Sequence, residues 1–170
     1  MSADDLTGRL LVATPGLVEP TFARTVVLLL AHNEEGALGV VVNRPGALPA
    51  SEVLPHLAQL LGEPDRVFIG GPVSPSTALC LGRTADGHRV VDTAGDDLAG
   101  VDLLRVLAGY AGWSGGQLEG EIAAGGWYVV DAERSDVFTA EPDDLYRTVL
   151  RRQPTRIAFA SVLPADVRHN

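Results

Sequence analysis

The 170-residue chain has no lysine: all thirteen of its basic residues are arginines. That absence removes Schiff-base chemistry, pyridoxal-phosphate enzymes and the lysine-dependent phosphate loop of nucleotide hydrolases. Cysteine is nearly absent too. Cys80 stands alone, so no intrachain disulfide can form and nothing points to an oxidising compartment. Long apolar runs are missing: the longest, residues 26–31, is a third of what a membrane helix needs. The opening Met1-Ser2-Ala3-Asp4-Asp5 is acidic where a secretory signal carries positive charge. A cytoplasmic location with no membrane partner is therefore expected. Positive charge is scarce overall. The net value is −9, a field that repels phosphate backbones, so nucleic acid is not an expected partner.

What is present describes a globular chain. Hydrophobic residues make up 46% and charged residues 21%, mixed from end to end without repeats or low-complexity tracts. One domain over residues 1–170 is expected, large enough to bury roughly two thirds of the surface of its unfolded chain. Residues 9–13, 25–31 and 37–43 read as strands, the last two joined into a hairpin by His32-Asn33-Glu34-Glu35-Gly36. Val53, Leu54, Leu57, Leu60 and Leu61 recur at helical spacing before Gly62. Short strands are expected at 67–69, 78–81, 89–91 and 127–130.

Leu103, Leu107, Tyr110 and Ala111 read as one stripe of a helix, followed after a turn at 112–114 by a second helix. Ser114 and Gln117 have capping-box spacing for that second helix. Pro142, Asp143 and Asp144 open a last helix, and Arg151 and Arg152 close it, in accord with the helix dipole. Strands and helices mix without βαβ alternation, which predicts an α+β fold.

Three patterns resemble chemical motifs. Gly112-Trp113-Ser114-Gly115-Gly116 fits the G-x-S-x-G elbow, but a helix before it, a capping role for Ser114 and a sole downstream histidine at His169 argue against a nucleophile. Residues 102–125 fit a helix-turn-helix in outline. Glu119 and Glu121 would then face phosphates, with no cation between Arg105 and Arg134. His32 lies near Glu34 and Glu35, a weak signal for a base or ligand, and no metal-binding spacing or cofactor motif is found.

The hairpin supplies the remaining candidate. With Ala31 facing Leu38, Thr25 falls opposite Arg44 and Val26 opposite Asn43, gathering Arg24, Thr25, Asn43 and Arg44 at the open end. Two guanidinium forks, a hydroxyl and a carboxamide suit a carboxylate or phosphate. His32 would lie about 18 Å away at the other end.

Several blocks also carry a family resemblance. Thr14-Pro15, Glu19-Pro20-x-Phe22-x-Arg24-Thr25-Val26-Val27, His32-Asn33-x-x-Gly36-Ala37-x-Gly39 and Val41-Val42-Asn43-Arg44-Pro45 resemble the opening signature of the bacterial YqgE/AlgH family. Gly70-Gly71-Pro72, Gly109-Tyr110-Ala111-x-Trp113, Gly116-Gln117-Leu118-Glu119-x-Glu121-Ile122 and Trp127 are similar to its later blocks. The resemblance implies an α+β fold with a bifurcated, barrel-like mixed sheet and helices outside. It implies no reaction, and some members are labelled transcriptional regulators through a link to alginate production. Family-pattern residues beyond core and glycine are Arg24, Thr25, His32, Asn43, Gln117, Glu119 and Glu121.

The expected function is a non-catalytic binding or regulatory domain for a small anionic metabolite or a protein partner, at Arg24, Thr25, Asn43 and Arg44. The alternatives are an enzyme using His32 with Gln117, Glu119 and Glu121, and a transcriptional regulator, which the acidic charge disfavours.

Overall fold

Alternation along β1 (Leu10–Ala13) and β2 (Val26–Asn33) sets the layers. The structure is a computed structural model that describes residues 4–94 and 98–162. Leu10, Val12, Val26 and Leu28 point to one face of the sheet; Leu11, Ala13, Val27 and Leu29 point to the other. Successive side chains of a strand face opposite sides, so a strand apolar at every position needs cover on both. On the first face the cover is α3 (Pro142–Arg151), through Leu145, Tyr146, Val149 and Leu150. On the second it is α2 (Gln117–Ala123), through Leu118, together with Trp113 and Trp127.

The sheet has eight strands. Its main path runs β6 (Gly87–Val91), β5 (Val73–Thr84), β7 (Leu103–Ser114), β3 (Gly36–Val41), β2, β1 and β8 (Trp127–Val130), with β4 (Phe68–Ile69) pairing in parallel with β7. All other pairs are antiparallel. The α+β expectation holds and the sheet is mixed, but it is not closed into a barrel: the path ends on β6 and β8. The fork lies in β7, whose first part pairs with β4 and β5 while Ala111 to Ser114 pair with β3. A strand that changes partners along its length splits the sheet.

β7 is also the main departure from the sequence reading, which has a helix here. Its 3.6-residue stripe was a sampling of a strand buried on both sides, where any period finds apolar residues. Gly109 decides the matter locally: its φ is +78°, and a Cβ there would stand 2.4 Å from the Gly71 carbonyl oxygen. With β7 extended, the helix-turn-helix outline disappears.

Two smaller differences follow from proline and length. Pro55 interrupts the leucine-rich helix, leaving α1 (Ala50–Val53) and a 3-10 turn at Pro55–Leu60. β5 spans twelve residues where four were expected. A last short helix, α4 (Thr155–Ala158), follows α3. Among the described residues no helix is long and apolar enough to cross a membrane.

Candidate functional site

The hairpin of β2 and β3 carries a candidate at each end. Ala31 does face Leu38, but an irregularity between Leu29 and Ala31 shifts the remaining pairs by one, so Val27 faces Val41 and the Val42 amide donates to the Val26 carbonyl. Asn43 therefore lies beside Thr25, and Arg24, Thr25, Asn43 and Arg44 still gather at the open end. Their donors turn onto the chain itself. Arg44 donates to the carbonyls of Pro20 at 3.0 Å, Ala23 at 3.1 Å and Thr21, and burial lowers its pKa. The Thr25 hydroxyl donates to the Phe22 carbonyl at 2.7 Å. Asn43 accepts from the Val26 amide through Oδ1 and donates to the Arg24 carbonyl through Nδ2. Arg24, at a left-handed φ of 59°, lays its guanidinium 4.6 Å from the Tyr146 ring centre. The cluster braces the loop before β2.

At the closed end His32 is buried, and its Nε2 lies 2.8 Å from Glu119 Oε2. The Leu6 amide donates to Nδ1 at 3.0 Å. These bonds assign the hydrogen to Nε2 and occupy the Nδ1 lone pair, so neither nitrogen is open to act as a base. The ring instead joins the start of the chain to α2. The His32 bond also holds the Glu119 carboxyl below the usual carboxylate range. A lowered carboxylate pKa stabilises the fold above the unfolded value and ceases to do so as pH falls through the folded value. His32→Ala is expected to raise the Glu119 pKa and to destabilise the fold by about 2 kcal/mol, chiefly through the orphaned Leu6 amide. Carboxyl titration by carbon NMR checks the first effect, and an unchanged Glu119 curve would contradict the bond.

Glu119 and Glu121 are two positions apart on α2 and project to different sides. The expected set of His32, Gln117, Glu119 and Glu121 thus divides into two networks. In the second, Glu121 Oε1 accepts from the indole nitrogens of both Trp113 and Trp127, each at 3.0 Å, and Oε2 accepts from Gln117 Nε2 at 2.9 Å. Phe22 completes an aromatic cluster with ring centres 5.7 to 6.3 Å apart, two of its three contacts edge-on. These groups line a cleft of about 460 Å³ between the 16–22 loop and α2, and Glu19 lines it too.

β7 delivers Trp113, and the short turn after it starts α2 within reach. Ser114 stays in strand register opposite Gly36, so the strand-turn-helix context that the G-x-S-x-G motif needs is present after all. The base is not. The Ser114 hydroxyl bonds to Gln117 Oε1 at 3.2 Å, no described histidine bonds to it, and His169 lies outside the described residues. Nor does Ser114 cap α2: Gly116 occupies that position, and only the glutamine's bond to the Ser114 amide survives from the expected capping box. Cys80 borders a second cavity of about 610 Å³, mostly aliphatic, where burial pushes its thiol up to about 11 and away from nucleophilic use. Among the described residues no group of three or more histidine, cysteine or carboxylate side chains could hold a metal.

The sequence pattern of the AlgH-like family matches residues 10–158. A UPF0301 protein of Streptomyces avermitilis is 48% identical over 95% of this chain and 93% of its own length. The chain belongs to the AlgH-like family. Another UPF0301 protein, from Mycobacteroides abscessus, is 42% identical over 96% of this chain and 87% of its own. Of solved structures, protein DIP2367 of Corynebacterium diphtheriae superposes with a TM-score of 0.87 at 29% identity, covering 96% of this chain and 95% of that one. The AlgH protein of Pseudomonas aeruginosa superposes at 0.69 and 27% identity, covering 96% and 97%. This AlgH-like fold confirms the resemblance carried by the sequence blocks. The cleft itself was missed: Trp113 and Trp127 were available as the only two tryptophans in an aromatic-poor chain, but their convergence on one glutamate needs β7 to be a strand.

Proposed function

We propose that this AlgH-like chain is a binding domain without chemistry of its own, and that its ligand or protein partner docks in the cleft walled by Phe22, Trp113 and Trp127. One observation carries the reading: a single carboxylate, Glu121, is fixed in direction by both tryptophans at the wall of a concave site that Phe22 and Leu17 also line. Concave apolar walls with one or two oriented polar groups are what small-ligand and anchor-residue sites have in common. The side chains suited to catalysis are otherwise engaged. His32 has both nitrogens bonded, Ser114 bonds to no histidine among the described residues, and the Cys80 thiol is buried.

The Arg24, Thr25, Asn43 and Arg44 cluster gives less support for an anionic metabolite, because such a ligand would have to displace three backbone carbonyls from Arg44. A transcriptional role through direct DNA contact has no support from the cleft, whose only charged side chains are glutamates.

The tryptophans make the test simple, since no others contribute to the emission. Ligands found by thermal-shift screening are expected to shift or quench tryptophan emission with the same midpoint as their binding. A ligand that binds tightly while leaving the emission unchanged would place the site elsewhere.

A further inference from the structure

Resting on that reading of the cleft, we infer that its occupant carries a cationic group, a primary amine or guanidinium on an aliphatic stem. The argument begins with the accounting of Glu121. A carboxylate offers about four acceptor positions. Trp113 and Trp127 take both on Oε1, and Gln117 takes one on Oε2, so one remains at the cleft wall. All three donors are neutral. They fix the carboxylate and leave its charge uncompensated, and no arginine among the described residues pairs with it. Arg24 of the adjoining loop and Arg44, which bonds back onto it, are committed to the Tyr146 ring and to carbonyls respectively.

The other charged residue on the cleft is also acidic. Glu19 lines it from the loop side, so an incoming group meets carboxylates from two elements and no counter-charge. An anion entering here would be repelled, and a neutral donor would pair the open acceptor of Glu121 without compensating its charge. An ammonium or guanidinium satisfies it with a charge-assisted bond. The stem has matching contacts: Leu17, Phe22 and the exposed edges of the two indoles line the same cleft. Glycines at 16, 112, 125 and 126 keep the rest of the wall low. The net charge of −9 adds a long-range attraction for cations.

The same chemistry occurs in free polyamines and in the basic side chains of a protein partner, and the test separates them. Tryptophan emission and calorimetry would follow titration of the whole chain with putrescine and with a blocked Gly-Arg-Gly peptide. A blocked Gly-norleucine-Gly peptide and inorganic phosphate serve as comparisons. At least one cation is expected to bind saturably and change the emission, with affinity falling as salt rises. Binding by putrescine alone supports a free amine, and binding by the arginine peptide alone supports a side chain. Glu121→Gln keeps an oxygen for both indoles but removes the charge, and is expected to weaken binding about tenfold. Glu19→Gln, at the exposed rim, is expected to weaken it about threefold without touching the tryptophans.

The inference is overturned if neither cation binds, or if the norleucine peptide or phosphate binds as well as they do. Where those probes still change the emission, the cleft remains the site and only its charge preference is wrong. Cation binding that leaves the emission unchanged and is indifferent to Glu121→Gln overturns both readings.

Discussion

Arg105→Ala is expected to lower the melting temperature by about 10 °C, at about 2–4 °C per kcal/mol for a chain of this size. Arg105 is 2% exposed and has no carboxylate partner among the described residues. Its fork donates instead to three carbonyls, those of Val137 at 3.3 Å, Glu63 at 3.2 Å and Thr139 at 2.7 Å, while the guanidinium lies 4.3 Å from the Phe68 ring centre. It thus joins β7 to the segments around Glu63 and residues 137–139, both outside the strands. Truncation leaves three carbonyls without a donor and a cavity beside Phe68, together about 3–4 kcal/mol after allowing for the relief of a buried charge. That burial is strong enough to draw the guanidinium pKa down to about 10. Arg105→Met, which fills the space and removes the charge, should recover about half the loss. Thermal unfolding of the two variants checks the assignment, and equal, small effects would show that the fork contributes little.

Glu121→Ala is the second large effect. Trp113 and Trp127 are 7% and 4% exposed, and Glu121 is the acceptor for both indole N–H groups. An orphaned buried donor costs about 1–3 kcal/mol, so the variant is expected to lose about 3 kcal/mol and to change the emission of the unliganded protein. Glu121→Gln should lose about 1 kcal/mol, since its amide oxygen accepts as before. Urea unfolding measures both, with an unchanged slope required for the comparison. A loss within 0.5 kcal/mol for Glu121→Ala, the range of an ordinary surface change, would mean the glutamate does not bolt the tryptophans together.

Both predictions involve β7, and β7 is where the sequence misleads. β1, β8 and the β2–β3 hairpin were legible because short apolar runs between turn residues have few alternatives, and α3 because its proline, acids and arginines mark both ends. The stretch from Leu103 to Ala111 offered no such marks, and its apolar stripe at helical spacing favoured a helix. Gly109 was the contrary signal, since a glycine weakens a helix interior but suits a strand approached closely by another backbone. Arg105 could not be read at all: a buried arginine bonded only to carbonyls depends on loops more than 30 residues away.

The candidate site was legible in pieces. His32 and Glu119 were named and do meet, at 2.8 Å, and Arg24, Thr25, Asn43 and Arg44 do cluster. Which donors are already engaged was not legible, because that depends on the 19–24 loop folding back onto Arg44. The sequence reading therefore favoured an anion at the arginine end, whereas the geometry favours a cation in the acidic cleft.

Nitrogen–proton NMR of the whole chain, titrated in turn with putrescine, the blocked arginine peptide and inorganic phosphate, decides between those two ends. The two indole N–H resonances report on the cleft, and the amides of Arg24, Thr25, Asn43 and Arg44 report on the hairpin end. The account predicts that a cation moves both indole resonances together, with one midpoint, and that phosphate leaves them still. Saturable shifts at Arg24 and Arg44 on adding phosphate, with both indoles unmoved by every probe, would contradict it.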